Sequence, residues 1–363
     1  MKILYVLGGL PFGGIENLMF DISVELKKRG IDHKIVNLSG EGEKVREFLE
    51  SGLPVINLGR SKKDIKTYKL KTALKLRKLI QEYRPDIVHT MQFSGDYFGR
   101  IASIGLPVKV VTHIHNIKKE KRFERRIFNR ILSFRTDTFI SVSVAVKNYV
   151  NKYHNISKRE NIILYNGVNF EKLKPYRKSK INGKDRFKLI FVGRLFPQKN
   201  IDILIKALAI LRKKWHQSHL WIVGEGKERT NLEKLTSELN LKDSIKFLGY
   251  QKNVGKFLTK AGIFLLPSSY EGFGIAHLEA MYIGLPAIIS PNVPSKEIAS
   301  ECSIISPIEP QKIAMAIEKL FKNENFYIEM AKKAQRIAEK YSIESYVDKL
   351  LLLYEKLLME KTL

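Results

Sequence analysis

The sequence predicts an α/β protein of two doubly wound parallel-sheet domains with a helical C-terminal tail. Short apolar runs alternate with segments of helical period from residue 2 onward, the pattern of parallel strands covered by helices on both faces. The alternation pauses in EKLKPYRKSKINGKDRFK (171–188), a polar stretch with Pro175 and Gly183, and then restarts. The 363 residues are also enough for two domains of ordinary size.

In chain order, KILYVLGG (2–9) reads as a strand and leads into a helical pattern over 14–29. Further strands are expected at HKIVNLS (33–39), DIVHT (86–90), VKVVTHIH (108–115) and DTFISVS (137–143). The stretch 171–188 reads as the linker, so the expected domains are 1–175 and 176–363. The second half restarts with KLIFVGRL (188–195), a helix over 199–214, LWIVGEG (220–226) and a helix over 227–240. IKFLGY (245–250), IFLLPS (263–268), a helix from Phe273 and PAIIS (286–290) follow. From Pro310 the pattern is helical only, and the last helix is striped by Tyr346, Leu350, Leu353 and Leu357. That helix is free to pack back on the first domain.

Composition excludes several classes. An apolar fraction of 44% and a charged fraction of 28% describe a globular chain, not a disordered one. No apolar run approaches a membrane span, and the amino terminus reads as a first strand rather than a leader. Cys302 is the single cysteine, so no internal disulfide or thiolate metal site is expected, and a cytoplasmic location follows as the default. The net charge is +27, and residues 51–200 carry 34 basic against 10 acidic side chains. Charge so localised implies one basic surface, suited to nucleic acid, anionic membrane or a phosphorylated substrate.

Ligands of open parallel sheets bind beyond the carboxyl ends of the strands, and unusual residues fall there. GGLPFGGIE (8–16) is a glycine loop opening a helix, either a phosphate cradle or a tight turn. GRLFPQKN (193–200) places Arg194 and Lys199 around a turn, either a diphosphate clamp or solvated charge. PSSYEGFGIAHLEAMYIGLP (267–286) repeats the glycine-loop-to-helix pattern and carries two glutamates. Glu271 has an ordinary explanation as a helix N-terminal charge. Glu279, two turns on among apolar neighbours, has none, and a buried carboxylate needs a partner or a ligand.

Together, GGIE (13–16), VGRL followed by KN (192–200), GEG (224–226), and Glu271 with Glu279 in an E-x7-E arrangement resemble glycosyltransferase family 4. NGVN (166–169), SVSVAVK (141–147) and HIHN (113–116) add to the likeness, which is nearest to enzymes of bacterial capsular and exopolysaccharide assembly. The resemblance implies the GT-B architecture, two Rossmann-like domains facing a cleft. It implies transfer of a hexosyl or N-acetylhexosaminyl unit from a nucleotide-diphosphate donor, UDP being expected, with retention and without a metal or other cofactor.

By the same resemblance Glu279 binds the ribose, Glu271 approaches the transferred sugar, and Arg194 and Lys199 stabilise the departing diphosphate. Gly13, Gly14, Gly193, Phe273 and Gly274 line the donor. His115 lies near the donor sugar, and His113 is an acceptor-side group, a support for its neighbours or a packed strand histidine. Asn116 and Asn169 stand where many members carry Asp, so a carboxylate role is not expected there.

Two segments concentrate the charge of the first half. In 62–83, Leu70, Ala73, Leu76 and Ile80 share a helical face. In 118–135, Phe123, Ile127, Ile131 and Phe134 form a stripe, with Arg125, Arg126 and Arg130 elsewhere. Each is either a core-packed helix with a basic outer face or a membrane-surface helix. A lipid-linked saccharide or glycan acceptor at the inner face of the cytoplasmic membrane suits such a surface. Nucleic acid is not expected, because the aromatics sit at helix-core spacing. A sugar-nucleotide epimerase of the same architecture and a non-catalytic partner subunit are the alternative readings.

Overall fold

The computed structural model describes residues 1–66, 69–115, 123–154, 156 and 160–360. Asn116, Lys118–Arg122 of the second basic segment, and Thr67 and Tyr68 of the first lie outside the described residues. The chain forms two compact units, Met1–Gly167 with Ile343–Leu363, and Val168–Ser342.

The first unit holds a seven-stranded parallel sheet in the order β3-β2-β1-β4-β5-β6-β7. Its strands are β1 (Lys2–Leu7), β2 (Asp32–Asn37), β3 (Val55–Asn57), β4 (Ile87–Met91), β5 (Lys109–Ile114), β6 (Thr138–Ser141) and β7 (Glu160–Ile163). The strand order reverses between β1 and β4, which stay paired to their last residues, Leu7 and Met91, so the connections that leave them run to opposite faces of the sheet, the place where open parallel sheets take ligands. One face is covered by the helix Gly14–Lys28, whose Leu18, Met19, Ile22 and Leu26 are buried at helical spacing. Tyr346, Leu350, Leu353 and Leu357 of the final helix, Ile343–Met359, share that core. Ala73, Leu76 and Ile80 pack on the opposite face with Phe98 and Ala102.

The second unit holds a six-stranded parallel sheet in the order β10-β9-β8-β11-β12-β13. Its strands are β8 (Lys188–Val192), β9 (His219–Val223), β10 (Ile245–Gly249), β11 (Ile263–Leu266), β12 (Ala287–Ile289) and β13 (Ser303–Ile305). Here the order reverses between β8 and β11, which are hydrogen-bonded neighbours.

Three sequence expectations change. The stretch read as a linker is a run of short 3-10 turns belonging to the second unit, and the chain passes between units ahead of it, at 167/168. Phe170 explains the shift, since its ring stacks on Tyr282 at 4.0 Å and only 4° from parallel. Leu70, placed by periodicity on the buried face of its helix, is 71% exposed. It is the first residue of that helix, where the packed stripe has not yet begun.

The third change concerns 123–134. Phe123, Ile127, Ile131 and Phe134 do not pack into a core; they are 74%, 41%, 60% and 53% exposed, while Asn129 and Leu132 face inward. Phe123 and Phe134 are therefore not core aromatics and do not by themselves exclude nucleic acid. Aliphatic Ile127 and Ile131 in the same row still suit hydrocarbon better than a base-stacking platform.

Candidate functional site

In the second unit the predicted residues converge on the divergence of β8 and β11. After β8 the chain turns through Gly193 and Arg194, and after β11 it runs through Pro267–Gly274. The two loops are tied together. Ser269 donates its backbone N–H to the Gln198 carbonyl at 2.8 Å. The Asn200 amide donates to the Pro267 carbonyl and to Ser269 Oγ, both at 2.8 Å, and the Tyr270 hydroxyl donates to Gln198 Oε1 at 2.6 Å.

Across this seam Lys199 Nζ donates to Glu271 Oε1. The two side chains retain 12% and 15% exposure. Glu271 also accepts from Ser268 Oγ at 2.8 Å. Glu271 is thus not a helix cap: the N-cap of the helix Ile275–Ile283 is Gly274, with no side-chain cap.

Gly274 has φ +109, a backbone region that L side chains rarely adopt, and a Cβ there would stand 2.9 Å from Ser295 Oγ. The loop is pinned from behind by His277, whose ring nitrogens meet Ser295 Oγ at 2.8 Å and Ser303 Oγ at 3.0 Å. Burial holds His277 neutral, its pKa lowered to about 3. Phe273 is buried, and Glu279 lies half-buried in the second turn of the helix.

The GEG glycines support the Arg194 loop. Gly224 has φ +137, and a Cβ there would collide with the Gly193 carbonyl oxygen at 1.9 Å. Close approach of the two backbones allows Leu195 N–H to reach the Glu225 carbonyl at 2.9 Å. Arg194 itself is exposed, its guanidinium 5.2 Å from the Phe196 ring centroid. The result is an exposed arginine and a paired lysine on the loop after β8, with the start of the helix Ile275–Ile283 on the chain that follows β11.

In the first unit the glycine loop follows β1 and starts the helix at Gly14, with Gly13 extended as its N-cap. The buried Glu16 carboxylate sits against Gly13, so that a Cβ there would stand 2.2 Å from Oε2. It accepts from Gln92 Nε2 at 2.6 Å, and Gln92 Oε1 takes the Gly8 N–H at 3.0 Å. Gln92 follows β4 with φ +65, unusual for a residue with a side chain. Sequence reasoning missed Gln92; its position just past DIVHT was the available signal, and its conformation left none.

His113 ends up inside β5 and His115 just beyond it, both buried, with ring centroids 3.9 Å apart. Burial keeps both neutral; the pKa of His115 falls to about 3 and that of His113 well below its usual 6.5, helped by the neighbouring histidines. Arg125 lies over the Phe93 ring at 4.2 Å and Arg126 over Tyr153 at 4.2 Å, while Arg130 is exposed. Asn169 accepts the Glu171 N–H at 3.1 Å and caps a 3-10 turn.

Two domain families match this chain in tandem. Glycosyltransferase Family 4 covers residues 12–172 and Glycosyl transferases group 1 covers residues 174–341. The chain belongs to the glycosyltransferases. An uncharacterized glycosyltransferase of Haemophilus influenzae is 26% identical over 349 residues, covering 93% of this chain and 94% of that one. The UDP-Gal:alpha-D-GlcNAc-diphosphoundecaprenol alpha-1,3-galactosyltransferase of Escherichia coli is 31% identical, over 61% of this chain and 62% of its own length. Among solved structures, Anabaena HepE in complex with UDP and glucose superimposes with a TM-score of 0.80 at 20% identity, covering 98% and 99% of the two chains. This glycosyltransferase therefore has the GT-B fold, two Rossmann-like parallel-sheet domains, with a helical C-terminal region.

Proposed function

We propose that this glycosyltransferase moves a hexosyl or N-acetylhexosaminyl unit from a UDP-sugar to a lipid-linked or polysaccharide acceptor, with retention and without a metal. The observation that carries the reading is the Lys199–Glu271 pair, which joins the loops that follow β8 and β11, the first of which also carries Arg194. When the glycosidic C–O bond breaks, its electron pair goes to the departing diphosphate, and preorganised cations there stabilise the developing charge. Lys199 and Arg194 are those cations, which is the role a metal would otherwise fill. Glu271, fixed by Lys199 and Ser268, faces the transferred sugar, and Glu279 takes the ribose hydroxyls. The backbone around Gly193, Phe273 and Gly274 closes on the phosphates.

In the first unit, the carboxylate of Glu16 beside Gly13 and Gly14 favours hydroxyls over phosphate, so that loop receives a sugar. The UDP in the HepE complex and the UDP-Gal and diphosphoundecaprenol in the Escherichia coli relative's name support the donor and acceptor classes. Capsular or exopolysaccharide assembly is the process such an acceptor serves. No described helix is long and apolar enough to cross a membrane. The exposed Phe123–Ile127–Ile131 row, with Arg126 and Arg130 exposed beside it, supports peripheral attachment to the inner face of the cytoplasmic membrane.

A thermal-shift screen of nucleotide sugars, followed by turnover with lipid-linked saccharides, tests the proposal. UDP-sugars are expected to stabilise and to transfer. Epimerisation of the sugar nucleotide without acceptor, or no response to any nucleotide sugar, would overturn it.

A further inference from the structure

A hydrogen-bonded chain of four aromatic side chains runs through the first unit, none of them placed in the donor site. Tyr5 on β1 is in register with His89 on β4, and His113 lies one strand further, paired with Met91. Tyr354, from the final helix, joins them. Tyr5 Oη meets Tyr354 Oη at 3.2 Å, Tyr354 Oη meets His89 Nδ1 at 2.5 Å, and His89 Nε2 meets His113 Nδ1 at 3.3 Å. All four side chains are fully buried. Among the described residues, His113 Nε2, where the chain ends, has no hydrogen-bond partner, and neither has Nε2 of His115, whose ring is tilted 33° to that of His113 at 3.9 Å. Buried polar groups are normally satisfied, so an orphan pair at the ligand end of a sheet marks a place where something binds.

The chain has a direction. Each neutral imidazole carries one proton, so fixing one tautomer fixes the next. A phenol is the stronger acid of the first pair and an imidazole nitrogen the stronger base, which favours the phenol as donor. Tyr354 therefore donates to His89 Nδ1, leaving His89 protonated at Nε2. His89 Nε2–H donates to His113 Nδ1, and His113 must carry its proton on Nε2. Tyr5 closes the other end by donating to the oxygen of Tyr354. Every proton is then placed, and the one left over points out of the chain.

We propose that Tyr354 is a positioning residue that, through His89, locks His113 as an Nε2–H donor to a sugar hydroxyl or ring oxygen. The final helix thereby sets the hydrogen-bonding character of a group on β5. The identity of that ligand as a saccharide rests on the glycosyltransferase reading; the direction of the chain does not.

The experiment separates the two. In full-length protein labelled with 15N-histidine, NMR reads the tautomer of His113 directly. The wild type is expected to show neutral His113 protonated at Nε2. Tyr354→Phe removes the donor and is expected to give a mixture of tautomers, whereas Tyr5→Phe leaves the Tyr354–His89 bond and the His113 tautomer unchanged. Where turnover of a nucleotide sugar is measurable, Tyr354→Phe lowers kcat/KM about twofold, in step with the share of His113 that an even mixture leaves as the Nε2–H tautomer, and Tyr5→Phe does not. His113→Gln, which can offer an amide N–H in place of Nε2–H, retains more activity than His113→Leu. A wild-type His113 protonated at Nδ1, or a tautomer that ignores Tyr354→Phe in folded protein, overturns the proposal. Absence of turnover with the expected tautomers would instead overturn only the saccharide assignment.

Discussion

Replacing Lys199 by Met has two separable consequences. The substitution keeps most of the side-chain volume and removes the charge that faces Glu271. Both partners are largely withdrawn from water, at 12% and 15% side-chain exposure, so Glu271 would retain only the Ser268 hydroxyl at 2.8 Å. Removing one member of a fully buried pair costs about 3–5 kcal/mol; with the Ser268 bond and residual solvent, about 2–3 kcal/mol is expected here. For a domain of this size that lowers the melting temperature of the second unit by roughly 5–10 °C. Adding Glu271→Gln removes the stranded carboxylate and should restore most of the loss. Turnover behaves differently: it is expected to fall roughly ten- to a thousand-fold in Lys199→Met and not to return in the double variant, because the cation proposed to face the diphosphate is still missing. Calorimetry and a donor-hydrolysis assay read the two effects. A Lys199→Met protein as stable as wild type would mean that the pair does not hold the two loops, and a double variant with full turnover would mean that Lys199 does not act on the diphosphate.

Other outcomes follow from the same structure. Glu279→Ala should weaken nucleotide binding about tenfold or more, as expected for losing a charged hydrogen bond to ligand; unchanged affinity would make Glu279 structural. Anionic vesicles should pull the protein down at low salt, each basic residue contributing about 1 kcal/mol, and Phe123→Ser with Ile131→Ser should weaken binding at all salt concentrations; protein remaining in the supernatant would leave the exposed row without a lipid role. Acid should destabilise early, since His89, His115, His154 and His277 have folded pKa values lowered to about 3 by burial. The unfolded chain takes up these protons below the ordinary 6.5 and the folded chain does not, so stability is intact above 6.5 and falls as pH drops toward 3. Two such groups alone remove about 3 kcal/mol between pH 6.5 and 5, and denaturant midpoints that stay level over that interval would contradict the buried, neutral assignment.

The strands nearest each site were legible because a strand buried on both faces reads as an unbroken apolar run, as in KILYVL, KLIFV and IFLL. The short strands β3, β7 and β13 were not. Each ends its sheet or lies at its margin, has three or four residues, and keeps partly exposed side chains, so neither length nor hydropathy marks it. Periodicity grouped Phe123, Ile127 and Ile131 on one face, but it carries no information on whether anything covers that face. The glutamates were found by spacing, whereas the Lys199–Glu271 pair joins residues 72 positions apart and depends on β8 and β11 being neighbours. The Tyr354–His89 contact, across 265 positions, was out of reach for the same reason.

Calorimetric titration with UDP in the presence of a chelator shows whether the loops that follow β8 and β11 hold the donor diphosphate against Arg194 and Lys199. The account predicts that UDP binds the wild type with chelator present and that Arg194→Ala weakens binding about tenfold or more, as removal of a charged contact should. Binding that requires added magnesium or manganese, or that is indifferent to Arg194→Ala, would contradict it.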